Sequence, residues 1–306
     1  MAKFLIITAD DLGISLATNR AIDRAHRKGL VTSASLMANM RAFDDAVERT
    51  VRPNPGLGVG VHLCLTSGRP VLAAADVPML VDAEGRFRHG FFGLLRLIRS
   101  RQRREALEQI AGELRAQAER LAASGIRIDH VDSHRHVHLI PGILEVAREI
   151  AIEHRAALRI PSERFALTAQ LLPLAPRRIL SGGLLKRAVL ARLARRRSRL
   201  GCEPMSADHY FGVLDSGRMT QSAWMSIARL IRAGVTEVNI HPSLAPLAGD
   251  APDCCDADLR FLRSPLRAAE LEAITDPLLR EELARREISL VRFADVIARP
   301  LHAAAS

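Results

Sequence analysis

The chain has 306 residues, 48% of them hydrophobic and 25% charged, with a formal net charge of +10. That length supports a large buried core, as one big α/β domain or as two smaller ones. An aromatic share of 4% offers little stacking surface for bases or sugars, and no stretch reaches the roughly 20 apolar residues a spanning helix needs. Four cysteines, Cys64, Cys202, Cys254 and Cys255, form no CxxC pair and lack the density of a secreted scaffold. They are expected to be reduced thiols in a cytoplasmic protein, and the opening residues carry no signal-peptide pattern.

In chain order, the apolar run Phe4 to Ile7 reads as a buried strand, followed by Thr8-Ala9-Asp10-Asp11-Leu12-Gly13 and a helix opened by Ser15. Val31 to Met37 is expected as a second strand and the Phe43 region as a second helix, giving βαβα. Gly58 to Leu65 follows as a third strand with His62 among apolar neighbours, where a histidine is more often a core residue than a ligand. The stretch punctuated by Pro70, Pro78 and Gly85 is read as an excursion over a barrel mouth. Helices are expected over Phe91 to Ile98 and Glu105 to Ala123. Ile128 to His134 reads as a strand running into Arg135-His136-Val137-His138, and helix resumes from Gly142 to Ile152. Ala157 to Pro161 is a short strand that carries Arg159. Later come a helix over Ala223 to Ile231, a strand from Val235 to Pro242 ending in His241-Pro242, helices over Leu266 to Ile274 and Asp276 to Arg285, and a strand-like Ile288 to Val291.

The cationic excess is concentrated. Residues 177–199 hold many Arg and Lys and no acid, with leucines at roughly i, i+4 spacing. This amphipathic stretch suits an anionic membrane surface, an acidic substrate or a solvated face packed on the core, and nucleic acid is the disfavoured partner.

Strands alternating with helices throughout predict a parallel sheet, and their number favours a distorted TIM-like (β/α) barrel over an open sheet. No Gly-x-Gly-x-x-Gly follows the first strand, which argues against a dinucleotide fold. In such barrels the carboxyl ends of the strands form the site. Four of those ends deliver ionisable groups: Asp10 and Asp11, His62, His134 with its neighbours, and His241. Adjacent carboxylates repel, and binding one to a cation while leaving the other as a base relieves that repulsion. Two imidazoles plus one carboxylate form a set of metal ligands that leaves positions open for water and substrate, so Asp11, His62 and His134 are the candidate ligands. His134, His136 and His138 recur with period two and are expected to share a strand face.

Thr8 to Gly13, Val61-His62-Leu63, Val131 to His138 and Asn239-Ile240-His241-Pro242 together resemble, in the same order, the motifs of the YdjC-like carbohydrate deacetylases. That family includes chito-oligosaccharide deacetylases and hopanoid-biosynthesis-associated deacetylase-like proteins. The likeness runs from Lys3 to about Pro246. It implies one barrel domain over residues 1–300, with insertions at 70–125 and 165–205 and a disordered tail at 301–306. It also implies one divalent metal, magnesium with zinc as the alternative, and removal of acetyl from an N-acetylated amino sugar. Carried over by position, Asp11, His62 and His134 match the ligands and Asp10 the catalytic base. Arg135 stands where many relatives have a histidine.

From amide chemistry, Asp10 deprotonates the attacking water, His241 protonates the leaving amine and Arg159 holds Asp10 ionised and oriented. Arg135, His136 and His138 are expected to line the substrate pocket. The substrate is expected to be an N-acetylated saccharide or a lipid-linked amino sugar, with peripheral contact to an anionic membrane at its inner face and oligomeric state left open between monomer and homo-oligomer. The alternative is a non-catalytic barrel that binds anionic lipid or nucleic acid through residues 177–199.

Overall fold

The computed structural model describes residues 2–161, 205–213 and 215–298. Its centre is β1 (Lys3–Leu12), whose residues from Leu5 to Leu12 are buried because neighbours pair on both edges. β7 (Gly234–Ile240) pairs along one edge. The other edge is shared, with β8 (Ile288–Leu290) at its start and β2 (Ser33–Leu36) at its end. The sheet continues through β3 (Gly58–Leu63), β4 (His130–Ser133) and β5 (Ala157–Leu158), while β6 (His209–Phe211) lies outside β7. Every ladder is parallel. Leu158 N–H also donates to the carbonyl of Met205, just ahead of β6, so the sheet curls until its two outer strands approach. This is the expected distorted barrel.

Helices cover the outside. α1 (Leu16–Arg27) starts where Ser15 caps it by accepting from Thr18 N–H, and α2 (Phe43–Ala46) continues into a wider turn over Val47–Val51. α3 (Phe91–Leu97) and α4 (Arg103–Ala123) lie between β3 and β4, and α5 (Ile143–Glu153) follows β4. Beyond β6 come α6 (Gln221–Leu230), α7 (Asp256–Leu262), α8 (Leu266–Thr275), α9 (Pro277–Arg285) and α10 (Phe293–Ile297). The apolar stripes of these helices and the outward strand faces form one main core.

The inward strand faces are polar with period two: Thr8 and Asp10 on β1, Ser33 and Ser35 on β2, His62 on β3, His130 and Asp132 on β4, and Glu237 and Asn239 on β7. Glycine makes room for this layer. A Cβ at Gly60 would fall on the His130 ring, which explains a glycine inside a buried strand.

Three elements were not expected from the sequence. β6 is only three residues long, α7 sits in what reads as the Cys254-Cys255 loop, and α10 lies past the last expected strand. A further correction concerns the histidine run. β4 stops at Ser133, and residues 134–139 form a tight helical turn in which Arg135 and His136 have φ of 57° and 58°. The period-two strand face for His134, His136 and His138 therefore does not exist. The 165–205 insertion up to residue 204, the basic segment 177–199, Cys202 and the 301–306 tail fall outside the described residues. Cys64, Cys254 and Cys255 are free thiols, and no helix among the described residues is long and apolar enough to cross a membrane.

Candidate metal centre

Asp10 and Asp11 end the central strand. In a regular strand, neighbouring side chains point to opposite faces, but the β1–β2 register shifts between Ala9 and Leu12, and Asp11 takes φ of 66°. A left-handed residue there turns both carboxylates into the barrel. The position suits aspartate better than a bulky or branched side chain.

Asp11 Oδ1 lies 3.0 Å from His134 Nδ1 and 3.5 Å from His62 Nε2. The three candidate ligand atoms all fall within 4.8 Å of one another, each nearly devoid of solvent. The other ring nitrogens are held by carboxylates. His62 Nδ1 donates to Asp132 Oδ1 at 2.7 Å, across the register pair His62↔Asp132. His134 Nε2 faces both oxygens of Asp258, at 3.1 and 3.2 Å. Since a carboxylate only accepts, each bond keeps a proton on the far nitrogen, so that deprotonation of either ring frees the lone pair on the Asp11 side.

Without a cation, the cluster holds protons instead. Burial opposes charge on His62, yet Asp132 and Asp11 outweigh it and push the imidazole up to about 10. His134 is likewise raised by Asp258 and Asp11 against the cost of burial. Burial works against an ionised Asp11 too, but bonds to His134 and His62 hold it well below the usual carboxylate range.

Do these residues fit a divalent metal? Two imidazoles and a carboxylate are a suitable donor set, and Asp11 Oδ2 is buried with no hydrogen bond, an acceptor left available. The carboxylates of Asp10, Asp11, Asp132, Glu237 and Asp258 also outnumber the guanidiniums of Arg135, Arg159 and Arg267. A second grouping, Asp10, His62 and Asp132, is equally close in space. There a cation is already present, because Arg159 binds Asp10 through Nη1 and Nη2 at 2.8 and 2.9 Å and reaches Asp132 at 2.5 Å. The first grouping is the one that fits.

Arg159, fully buried, also donates from Nε to Glu237 at 2.6 Å. Asp10 further accepts from Asn239 Nδ2 at 3.0 Å, and Ser35 Oγ lies 3.4 Å away. His241 Nε2 stands 3.9 Å from Asp10 Oδ2, and burial pulls its imidazole down to about 4. The sequence-derived residues thus divide. Asp10, Asp11, His62, His134, Arg159 and His241 converge, whereas Arg135 reaches the cluster only through Asp258, at 2.8 Å. His138 is fully buried, with Nε2 on the Arg159 carbonyl and Nδ1 on Ser133. His136 is buried between His138 and Tyr210.

Sequence reasoning passed over Ser35, Glu237, Asn239, Asp258 and Arg267 as functional candidates. For Glu237 and Asn239 a signal existed, since with His241 they recur at period two inside an apolar strand. For Asp258 and Arg267, which lie on helices beyond the last motif, there was none.

The pattern that defines the YdjC-like protein family matches this chain over residues 4–285. The chain belongs to the YdjC-like family. It is 33% identical over 298 residues to a carbohydrate deacetylase of Geobacillus stearothermophilus, covering 96% of this chain and 98% of that one. It is 46% identical over 157 residues to a carbohydrate deacetylase of Brevibacillus brevis, a match that spans 51% of this chain and only 59% of that relative. A chitooligosaccharide deacetylase of Escherichia fergusonii shares 37% over 161 residues, 52% of this chain and 60% of that protein. Among solved structures, a protein of Enterococcus faecalis V583, provisionally described as a cellobiose-phosphate cleavage protein, superposes with a TM-score of 0.71. It has 25% identity, with 97% of this chain and 99% of that one covered. That superposition fits the parallel, curled YdjC-like sheet described above.

Proposed function

We propose that this YdjC-like protein is a metal-dependent hydrolase that removes the N-acetyl group from an N-acetylated amino sugar. The observation that carries the reading is the division of labour between adjacent aspartates: Asp11 faces two imidazoles, whereas Asp10 is held by Arg159 and Asn239 with one edge towards His241. The names of the relatives supply the substrate class.

Asp11, His62 and His134 would hold the cation. When bound, it supplies Lewis-acid polarisation of the amide carbonyl and acidifies water, with magnesium or zinc compatible with the ligand set. Asp10 takes the proton from the attacking water. Arg159 fixes the orientation of Asp10 through two parallel bonds. His241 is neutral at physiological pH, because burial holds it at about 4, so the proton it gives to the leaving nitrogen must reach it during the reaction. Asp10, 3.9 Å away, is the source. Asp132 and Asp258 fix the two imidazoles, and Arg135 ties Asp258 in place.

For the finer substrate we favour a saccharide or a lipid-linked amino sugar. Residues 86–104 contain seven arginines and no acid, and Phe92 in their midst is 71% exposed. Arg86, at the start of this stretch, and Arg69 both pair with Asp253, in the loop that leads to Asp258. A basic rim with a projecting aromatic suits peripheral contact with an anionic membrane. The single main core supports one domain over 1–300.

The deciding experiment is metal analysis of the purified protein joined to an acetate-release screen on chito-oligosaccharides and glucosaminyl lipids. Stoichiometric metal with acetate release is expected. Acetate release that persists after chelation would sink the metal-dependent reading.

A further inference from the structure

Arg267 is the anomaly of the site. Its side chain on α8 is 1% exposed, yet Nε, Nη1 and Nη2 form no hydrogen bond among the described residues. A buried guanidinium presents five N–H donors, and leaving them unmet is costly. The neighbouring carboxylates do not explain it. Glu270, one turn on, spends one oxygen on the backbone N–H of Met219 and the other on that of His241. Asp10 is engaged by Arg159 and Asn239, and Asp258 by His134 and Arg135. The remaining acid is Asp11, whose Oδ2 makes no hydrogen bond and lies 3.8 Å from Nη2, beyond hydrogen-bond reach.

One side of this guanidinium is walled by an aromatic ring. Arg267 Cζ sits 4.2 Å from the centre of Phe261, and the same ring meets His241 edge-on at 5.3 Å. Unmet donors, an apolar wall, His241 and the candidate metal ligand Asp11 thus meet at one corner. The chemistry of that corner suits a short carboxylate whose oxygens face the arginine and whose alkyl end lies on the ring.

We propose that Arg267 and Phe261 form the acyl-end subsite, in which Arg267 receives the oxygens of the acyl group and of the acetate it becomes. The inference rests on the deacetylase reading. In amide hydrolysis, hydroxide from water adds to the acyl carbon, the C–N bond breaks with its electron pair on nitrogen, and both water protons end on that nitrogen, which leaves as an ammonium group. The acyl side therefore leaves as a carboxylate bearing negative charge. A fixed guanidinium meets that charge as it develops in the transition state and holds it in the product.

The test needs no turnover. Carbon-13-labelled acetate is titrated by NMR into metal-loaded wild-type protein, Arg267→Met and Arg267→Lys, with metal content measured on each. Wild type is expected to bind acetate saturably, Arg267→Met at least about tenfold more weakly with metal content unchanged, and Arg267→Lys in between. In turnover assays Arg267→Met is expected to lose inhibition by acetate and to fall in kcat more than it rises in KM. Absence of saturable acetate binding by wild type, unchanged affinity in Arg267→Met, or loss of metal from that variant overturns the proposal. Should Arg267→Met not fold, wild-type affinity in Arg267→Lys does the same. If no acetylated sugar releases acetate while Arg267-dependent acetate binding persists, the deacetylase reading fails and the carboxylate subsite stands.

Discussion

Asp10 Oδ2 lies 3.9 Å from His241 Nε2, and the same oxygen accepts from Arg159 Nη1 at 2.8 Å and Asn239 Nδ2 at 3.0 Å while Arg159 Nη2 holds Oδ1 at 2.9 Å. The carboxylate is therefore fixed through both oxygens, with Oδ2 turned towards the imidazole. Asp10→Asn keeps the shape but abolishes the basicity. Acetate release should drop by roughly 10²–10⁴-fold, the usual share of a general base. Metal content, measured in parallel, should remain at the wild-type level, because Asp10 is not in the Asp11 group.

Metal uptake should be coupled to proton release. In the metal-free protein, His62 is raised to about 10 against 6.5 in an unfolded chain. Its contribution to stability is complete below pH 6.5 and is lost as pH rises through 10. The thermal midpoint of the metal-free protein should thus decline across pH 7–10, while the loaded protein, whose imidazoles are already neutral, should show a flatter profile. Calorimetric titration of the metal in buffers of different ionisation enthalpy should reveal released protons and an affinity that strengthens with pH.

Asp258 fixes His134 from a helix remote in sequence from every motif. Asp258→Asn retains the size but removes the charge and lets the ring settle in the wrong tautomer. Metal affinity should weaken by about 10–100-fold, and the urea midpoint of the metal-free protein should fall as well, because His134 and Arg135 lose their buried carboxylate partner. An unaltered dissociation constant for the metal would show that the carboxylate does not govern His134.

Arg159 touches Asp10, Asp132 and Glu237 with no solvent to screen them. Replacing it with Met strands three buried carboxylates. The loss should be on the order of 3–5 kcal/mol, read as a lowered urea midpoint, and it should ease as pH falls and the acids take up protons. Arg159→Lys should recover part of the stability but little activity, since one ammonium cannot reproduce the paired bonds to Asp10.

Much of this architecture was readable in the chain. Alternating apolar strands and amphipathic helices dictate a parallel sheet with covered faces, because only that arrangement buries both patterns at once. Parallel strands share a carboxyl end, so Asp10, Asp11, His62, His134 and His241, each at the close of an apolar run, were bound to meet. The tertiary structure decided what periodicity cannot encode. A left-handed Asp11 turned two adjacent carboxylates the same way, and tight turns at Arg135 and His136 broke a strand that spacing alone predicts. The partners that tune the cluster come from elsewhere. Glu237 is placed by strand register, and Asp258 and Arg267 by helices docking from beyond the last motif. Local pattern reports which face a residue takes within its own element, whereas the pairing of charges depends on how separate elements pack. That information resides in no single stretch of sequence.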